Sequence, residues 1–483
     1  MCLINSYAKI PRNKGKADMS QNELVQQENT LELPKANNPM GTKPVHKLLF
    51  SLAVPAIIAN LVNSLYNIVD QIFIGHGIGY LGNAATSVAF PLTTICMAIG
   101  LMVGLGSSAN FNLEIGKRNH EKAKLIVGTA TTLLVASGIV IMIVVNIFLK
   151  DLMLLFGATD QTLDYAVEYT RITSFGIPFL LFSTGFNPLI RADGSPIYSM
   201  LSVLSGAILN TILDPIFIFV CGWGMAGAAW ATLISQILSA GTCALYFVWF
   251  KNVRVKIKDF IPKLNIIKII ASVGISSFIF QISTMVIQIV SNNMLKKYGA
   301  ESIYGSDIPI AIAGIVSKIS MIFIAVIIGI IQGAQPIFGY NYGAKNYKRV
   351  RDALKLAVIS SFIFSLFAFL LFMLAPRPLI SLFGEGSDLY FDFGTKYLRV
   401  FLFFTFLNGI QIATTTFFQA IGKAVKGALL SLVKQVIFLL PLLVILPIFM
   451  GVEGVMFAAP ISDFIAFVTS AVLIILELKH MPK

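Results

Sequence analysis

Long apolar runs separated by short polar or glycine-proline breaks recur along the chain from Leu48 to about Leu478. The first, LLFSLAVPAIIANLVNSLYNIVDQIFIG, ends at Gly75 and carries one carboxylate, Asp70. At about 1.5 Å per helical residue, such a run is long enough to cross a hydrocarbon core of roughly 30 Å. Setting the runs against their breaks predicts twelve helices, over residues 48–75, 82–112, 123–149, 162–186, 196–219, 225–250, 266–295, 308–339, 352–376, 392–418, 425–449 and 454–478. An acidic group inside such a helix is costly unless it faces a cavity, an ion or a partner, so Asp70 is a candidate functional residue.

Composition turns this pattern into a class. The chain has 483 residues, is 56% hydrophobic and 12% charged, and has a mean hydropathy of +0.81. These values predict an all-α polytopic membrane protein with twelve transmembrane helices rather than a soluble enzyme. A net charge of +13 would suggest nucleic acid in a soluble protein. Here the basic residues sit in alternate connections, so no nucleic-acid partner is expected. Lys117, Arg118, Lys122 and Lys124 follow span 2, and Lys251, Arg254, Lys256 and Lys258 follow span 6. Connections after odd-numbered spans hold only Lys150, Lys296, Lys297, Arg377 and Lys396. This bias predicts that both termini are cytoplasmic.

Residues 1–47 are polar and have no apolar core of signal-peptide length, which predicts a disordered cytoplasmic tail. The expected organisation beyond it is a first lobe over 48–250, a cytoplasmic linker over 251–265, a second lobe over 266–478 and a cytoplasmic C-terminus over 479–483. An internal repeat supports two lobes. Glu168-Tyr169-Thr170-Arg171 recurs as Lys396-Tyr397-Leu398-Arg399, Phe111-Asn112 as Tyr340-Asn341, and Arg191-Ala192-Asp193-Gly194 as Gln419-Ala420-Ile421-Gly422. Six spans per repeat give both halves the same orientation, so they should be related by an axis along the membrane normal.

Depth groups the polar residues of the first lobe. Asp70 lies near the outer end of span 1, Asp214 near the outer end of span 5, and Thr232 just after the start of span 6. Tyr66 and Asn210 precede the two carboxylates by one helical turn on the same faces. These side chains, with Tyr169 near the start of span 4, fall in one layer. Hard oxygen ligands of this kind suit Na⁺, or two carboxylates sharing one proton. Each member also has a plainer reading. Asp214 before Pro215 suits a helix end, Asn210 and Thr232 suit hydrogen bonds between helices, and the two tyrosines suit packing.

The second repeat has Ser291, Phe438 and Leu442 opposite Asp70, Asn210 and Asp214. It offers a different polar set instead, Lys318, Lys434, Asp463 and Gln281, with Gln288 nearby. Lys434 and Asp463, both near mid-membrane on consecutive spans, are expected to form an ion pair. No GxxxxGK[ST] phosphate loop is present, and His46, His76, His120 and His480 all lie at or outside span ends. No cofactor, catalytic residue or metal site beyond Na⁺ is therefore expected. Cys2, Cys96, Cys221 and Cys243 show neither metal-ligand nor disulfide spacing.

Several stretches together resemble the multidrug and toxic compound extrusion (MATE) family of secondary transporters, in details resembling its MepA-like branch. They are Pro55 with Ile68-Val69-Asp70-Gln71-Ile72-Phe73-Ile74-Gly75, Arg191-Ala192-Asp193-Gly194, Leu209-Asn210-Thr211-Ile212-Leu213-Asp214-Pro215, Gly227-Ala228-Ala229-Trp230-Ala231-Thr232, Gln335-Pro336-Ile337 and Tyr340-Asn341-Tyr342-Gly343-Ala344. The resemblance covers nearly the whole chain from Lys47 to Leu478. It implies two six-helix pseudo-symmetric lobes in a V shape, a bacterial inner membrane, and a monomeric antiporter. The exchange it implies is an amphipathic organic cation against Na⁺ or H⁺. The family's first-lobe cation ligands match Asp70, Asn210, Asp214 and Thr232 here, with Tyr66 and Tyr169 nearby, whereas the second-lobe acidic pair of another branch has no equivalent. Two rival readings remain, a flippase for a lipid-linked precursor and a membrane-embedded enzyme. The first would want a cavity rich in Lys and Arg, and the second a nucleophile-base pair within the spans.

Overall fold

The computed structural model describes residues 38–383 and 386–482. The part of the expected tail over 1–37 lies outside the described residues. The chain folds into twelve spans and is a multi-pass membrane protein. Spans 1 to 3 are Val45–Gly77, Tyr80–Gly116 and His120–Ile147. Span 4 is broken into Leu163–Ser174 and Ile177–Ala192, and span 5, Pro196–Pro215, continues as a π-helical turn over Ile216–Val220. Spans 6 to 9 are Gly224–Leu245, Leu264–Ala300, Asp307–Gly343 and Tyr347–Leu374. Span 10 is bent by 42° between Asp388–Phe401 and Thr405–Ala420. Span 11 carries a π-helical stretch, Val433–Leu439, between Ala424–Leu432 and Leu440–Met450, and span 12 is Val452–His480. Ten of the helices are individually long and apolar enough to cross a membrane, and the bent span 10 makes an eleventh. Span 4 completes the twelve in two pieces.

The repeat is visible in local backbone geometry. Span 2 ends through Arg118 at φ 61°, after which Asn119 caps span 3 by accepting from the Lys122 amide at 3.1 Å. Span 8 ends through Lys345 at φ 58°, and Asn346 caps span 9 by accepting from the Arg349 amide at 3.4 Å. Both junctions close with the same backbone bond, Asn119 N to Glu114 O and Asn346 N to Asn341 O, each 2.8 Å. An asparagine side chain satisfies an otherwise orphaned helix-start amide, so one residue both ends the turn and starts the next helix.

The first helix of each lobe reaches into the other. Leu48, Leu49, Leu52 and Ala53 of span 1 are buried in a core built mainly from spans 8, 9 and 10. Reciprocally, Ile266 and Ile270 of span 7 join the first-lobe core around Phe186, Leu134 and Tyr246. The crossing is made by glycines. A Cβ on Gly106 would overlap the Ile270 carbonyl oxygen, one on Gly274 the Met102 carbonyl oxygen, one on Gly116 that of Tyr340, and one on Gly343 that of Leu113. On span 8, Cβ atoms at Gly329 and Gly333 would lie 2.6 Å from Cα of Ile57 and Ala53 of span 1. These approaches lie in the half of the molecule nearer the lysine- and arginine-rich connections. The lobes therefore meet backbone to backbone there, as close helix crossings without side chains allow.

The linker is pinned to the first lobe by Asp193. Its Oδ2 accepts from the Lys251 amide at 2.6 Å and the Tyr246 hydroxyl at 2.7 Å, and its Oδ1 from the Asn252 amide at 3.0 Å and Asn252 Nδ2 at 2.8 Å. Burial pushes the Asp193 carboxyl upward, against the pull of these donors. Ile421, at the matching place in the second lobe, has no linker to hold. Residues 38–43, expected as tail, are instead docked. Met40 is buried in the second-lobe core, Asn341 Nδ2 donates to its carbonyl at 3.0 Å, and Arg349 Nη2 donates to the carbonyls of Met40 and Lys43 at 3.1 and 2.7 Å. One apolar side chain in a polar stretch, met by a guanidinium fork, is enough to tie this segment down.

Candidate functional site

The end of the first lobe farther from the lysine- and arginine-rich connections gathers the polar side chains of four spans. Asp214 is fully buried and Asn210 is 3% exposed, while Asp70, Tyr66, Tyr169 and Thr232 are half-buried. Asn210 Nδ2 donates to Asp214 Oδ1 at 3.3 Å along one face of span 5. The Asp70 and Asp214 carboxyl groups are neighbours, close enough to interact electrostatically. Tyr66 and Tyr169 are neighbours of the two carboxyl groups, and Tyr169 is also near Thr232.

Three oxygens in this group, Asp70 Oδ1, Asp214 Oδ2 and Asn210 Oδ1, are buried without a hydrogen-bond partner among the described residues. Buried polar atoms are normally paired, so unpartnered acceptors on these three neighbouring residues ask for a donor or a cation. No ion pair among the described residues reaches either carboxylate. The donor set is all hard oxygen, which fits Na⁺ or a shared proton and does not fit a softer metal. Pro215 supplies part of the local geometry. It follows Asp214 directly and cannot donate to the preceding turn, and the helix widens into the π-helical turn over Ile216–Val220 immediately after it.

The second lobe holds a different arrangement, deeper along its spans. Lys434 Nζ lies 2.8 Å from Asp463 Oδ1, 3.0 Å from Asn408 Oδ1 and 3.0 Å from Gln411 Oε1. Of the four residues that the sequence put in this group, Lys434 and Asp463 meet. Lys318 and Gln281 do not join them: Lys318 is exposed, and Gln281 is half-buried without a hydrogen bond among the described residues. Gln288 bonds Asn292 one turn away on its own helix, at 3.1 Å.

With this geometry in hand, similarity to known proteins decides the family. The MatE family model matches residues 55–216 and 276–445, most of both lobes. The chain belongs to the MATE family. A relative, the multidrug export protein MepA of Staphylococcus aureus strain MSSA476, is 27% identical over 436 residues, covering 90% of this chain and 94% of that protein. The MATE multidrug transporter DinF-BH, solved in complex with a ligand, is 35% identical, with a TM-score of 0.82, over 88% of this chain and 94% of that one. A MOP superfamily transporter from Pyrococcus furiosus, described as having a binding pocket of reverse polarity, superimposes with a TM-score of 0.85 at 25% identity over 92% of this chain and 98% of that one. The chain is therefore a MATE transporter in architecture, with small molecules as the cargo class of its relatives.

Two residues of this MATE chain escaped the sequence reading, Asn408 and Gln411. They stand three apart on one face of span 10, spacing that would have paired them had an intramembrane amide been taken as a ligand rather than as helix packing. A second omission is the polar contact across the lobes, Asn60 Nδ2 donating to Gln332 Oε1 at 3.2 Å. It joins the same helix that carries Asp70 to span 8. Among the described residues no cluster of three or more His, Cys, Asp or Glu side chains has metal-binding geometry.

Proposed function

We propose that the protein is a cation-coupled antiporter of the bacterial cytoplasmic membrane, exporting amphipathic organic cations by alternating access in exchange for Na⁺ or H⁺. The observation that carries this reading is the group of three unpartnered buried oxygens on Asp70, Asp214 and Asn210. Two carboxylates this close repel when both are ionised, so the pair holds either a proton between them or a cation among their oxygens. Thr232 and the two tyrosine hydroxyls complete the shell. The relatives add the cargo: one is named a multidrug export protein, and another a multidrug transporter.

An ion drives transport only by binding the two conformations of the carrier with different affinity. Span 1 is suited to pass on that difference, because it bears Asp70 near one end and packs against span 8 along the other. Occupancy at Asp70 then biases the seam on which the lobes meet. With the basic connections and both termini in the cytoplasm, that seam closes the cytoplasmic side. Aromatic and methionine side chains beside anionic groups accept flat or bulky cations without strict stereochemistry, which suits a broad cargo range.

The test is ethidium efflux from reconstituted vesicles with a Na⁺ gradient or a pH gradient imposed separately, for the wild type and Asp214→Asn. One gradient should drive efflux by the wild type and neither should drive it in the variant. Unchanged gradient-driven efflux in Asp214→Asn would overturn the assignment.

A further inference from the structure

The Lys434 ammonium has three protons, and the second lobe supplies three oxygen acceptors for them: Asp463 Oδ1 at 2.8 Å, Asn408 Oδ1 at 3.0 Å and Gln411 Oε1 at 3.0 Å. An ion pair that only braces two helices needs one contact. Here two amide groups from span 10 also present their carbonyl oxygens, so the ammonium sits in a coordination shell of carboxylate and amide oxygens. The first-lobe site uses the same ligand types, Asp70, Asp214 and Asn210. The difference is the occupant, a cation carried by the chain itself.

The backbone around this shell is irregular on every side. Span 10 breaks between Phe401 and Thr405, just before Asn408, Lys434 lies in the π-helical stretch Val433–Leu439, and Pro460 precedes Asp463 within span 12. Broken and widened helices at membrane depth are where transporters place ion and substrate ligands. Thr405, on the Asn408 face of span 10, has a hydroxyl that is buried and without a hydrogen-bond partner among the described residues, and the residue is only 4% exposed. The Lys434 and Asp463 side chains are 18% and 9% exposed.

We propose that Asp463, Asn408 and Gln411 form a second monovalent-cation site whose permanent occupant is the Lys434 ammonium. The second lobe is thereby charge-balanced without a coupling ion, and removing Lys434 opens the shell to Na⁺ or a small ammonium ion. This inference does not rest on the reading of the first lobe. Its test removes that lobe's contribution.

The purified full chain carrying Asp70→Asn and Asp214→Asn serves as background. Lys434→Gln is added to it, and then Lys434→Gln with Asp463→Asn. Binding of radioactive Na⁺ and the thermal midpoint are read in NaCl, methylammonium chloride and choline chloride at equal ionic strength. Lys434→Gln should gain one saturable Na⁺ site per chain, with a midpoint that rises with Na⁺ or methylammonium and not with choline, and adding Asp463→Asn should abolish both. Binding no greater than background in Lys434→Gln, or binding that survives Asp463→Asn, would overturn the proposal. Should Lys434→Gln not be monodisperse in choline, recovery in methylammonium and loss on exchange back to choline support the site. Failure to recover in either medium counts against it.

Discussion

The two lobes solve one electrostatic problem in opposite ways. The first lobe holds Asp70 and Asp214 together at the end away from the basic connections and leaves three oxygens unpartnered among the described residues, whereas the second holds Asp463 deeper along its spans and neutralises it with Lys434. A carboxylate in a membrane needs a positive partner. One that borrows its partner from solution responds to ion gradients, and one that carries its own does not. Pseudo-symmetry of the backbone thus coexists with asymmetry of chemistry. The shared Asn119 and Asn346 caps belong to the common scaffold, while the buried charges differ between the lobes.

Breaking the self-contained side should cost most. Lys434→Gln leaves a mostly buried carboxylate unpaired and should destabilise the protein by about 3–5 kcal/mol, measured as denaturant or thermal stability in choline, and Asp463→Asn on top should recover most of it. On the other side, Asp70→Asn should lower gradient-driven ethidium efflux by about thirtyfold, roughly 2 kcal/mol of coupling, with little loss of folded protein. Equal stability losses from Asp70→Asn and Lys434→Gln would erase the contrast. A smaller effect is expected where the lobes touch. Gly274→Ala drives a Cβ into the Met102 carbonyl and should weaken the seam by about 1–3 kcal/mol, read as increased labelling of single cysteines placed along it. The least is expected from Arg349→Ala, which frees the Met40 segment at about 1 kcal/mol and should appear as faster proteolysis at Lys43.

Much of this organisation was legible in the sequence, because it rests on span length and depth. Counting residues from span ends puts Asp70, Asn210, Asp214 and Thr232 in one layer, and in the structure Asn210 bonds Asp214 and Asp214 neighbours Asp70. The Lys434–Asp463 contact was legible for the same reason. The break in span 4 was not: hydrophobicity runs on through Phe175 and Ile177, and only Gly176 and Pro178 mark the interruption, so the span was expected to end at residue 186 rather than at Ala192. Depth alone places Lys318 with the network, but helical phase turns it to the exposed side. Met40 was hidden by its polar neighbours, since its burial depends on Asn341 and Arg349, some three hundred residues away.

The glycine seam bears on how the carrier moves. None of the ion pairs among the described residues crosses from one lobe to the other. Parting the lobes along Gly106, Gly116, Gly274 and Gly343 therefore breaks no ion pair among the described residues; it gives up mainly dispersion contacts and a few polar ones such as Asn60 to Gln332. Such a boundary acts as a dry latch that separates at modest cost. Any movement of one lobe against the other then meets little resistance from the latch itself.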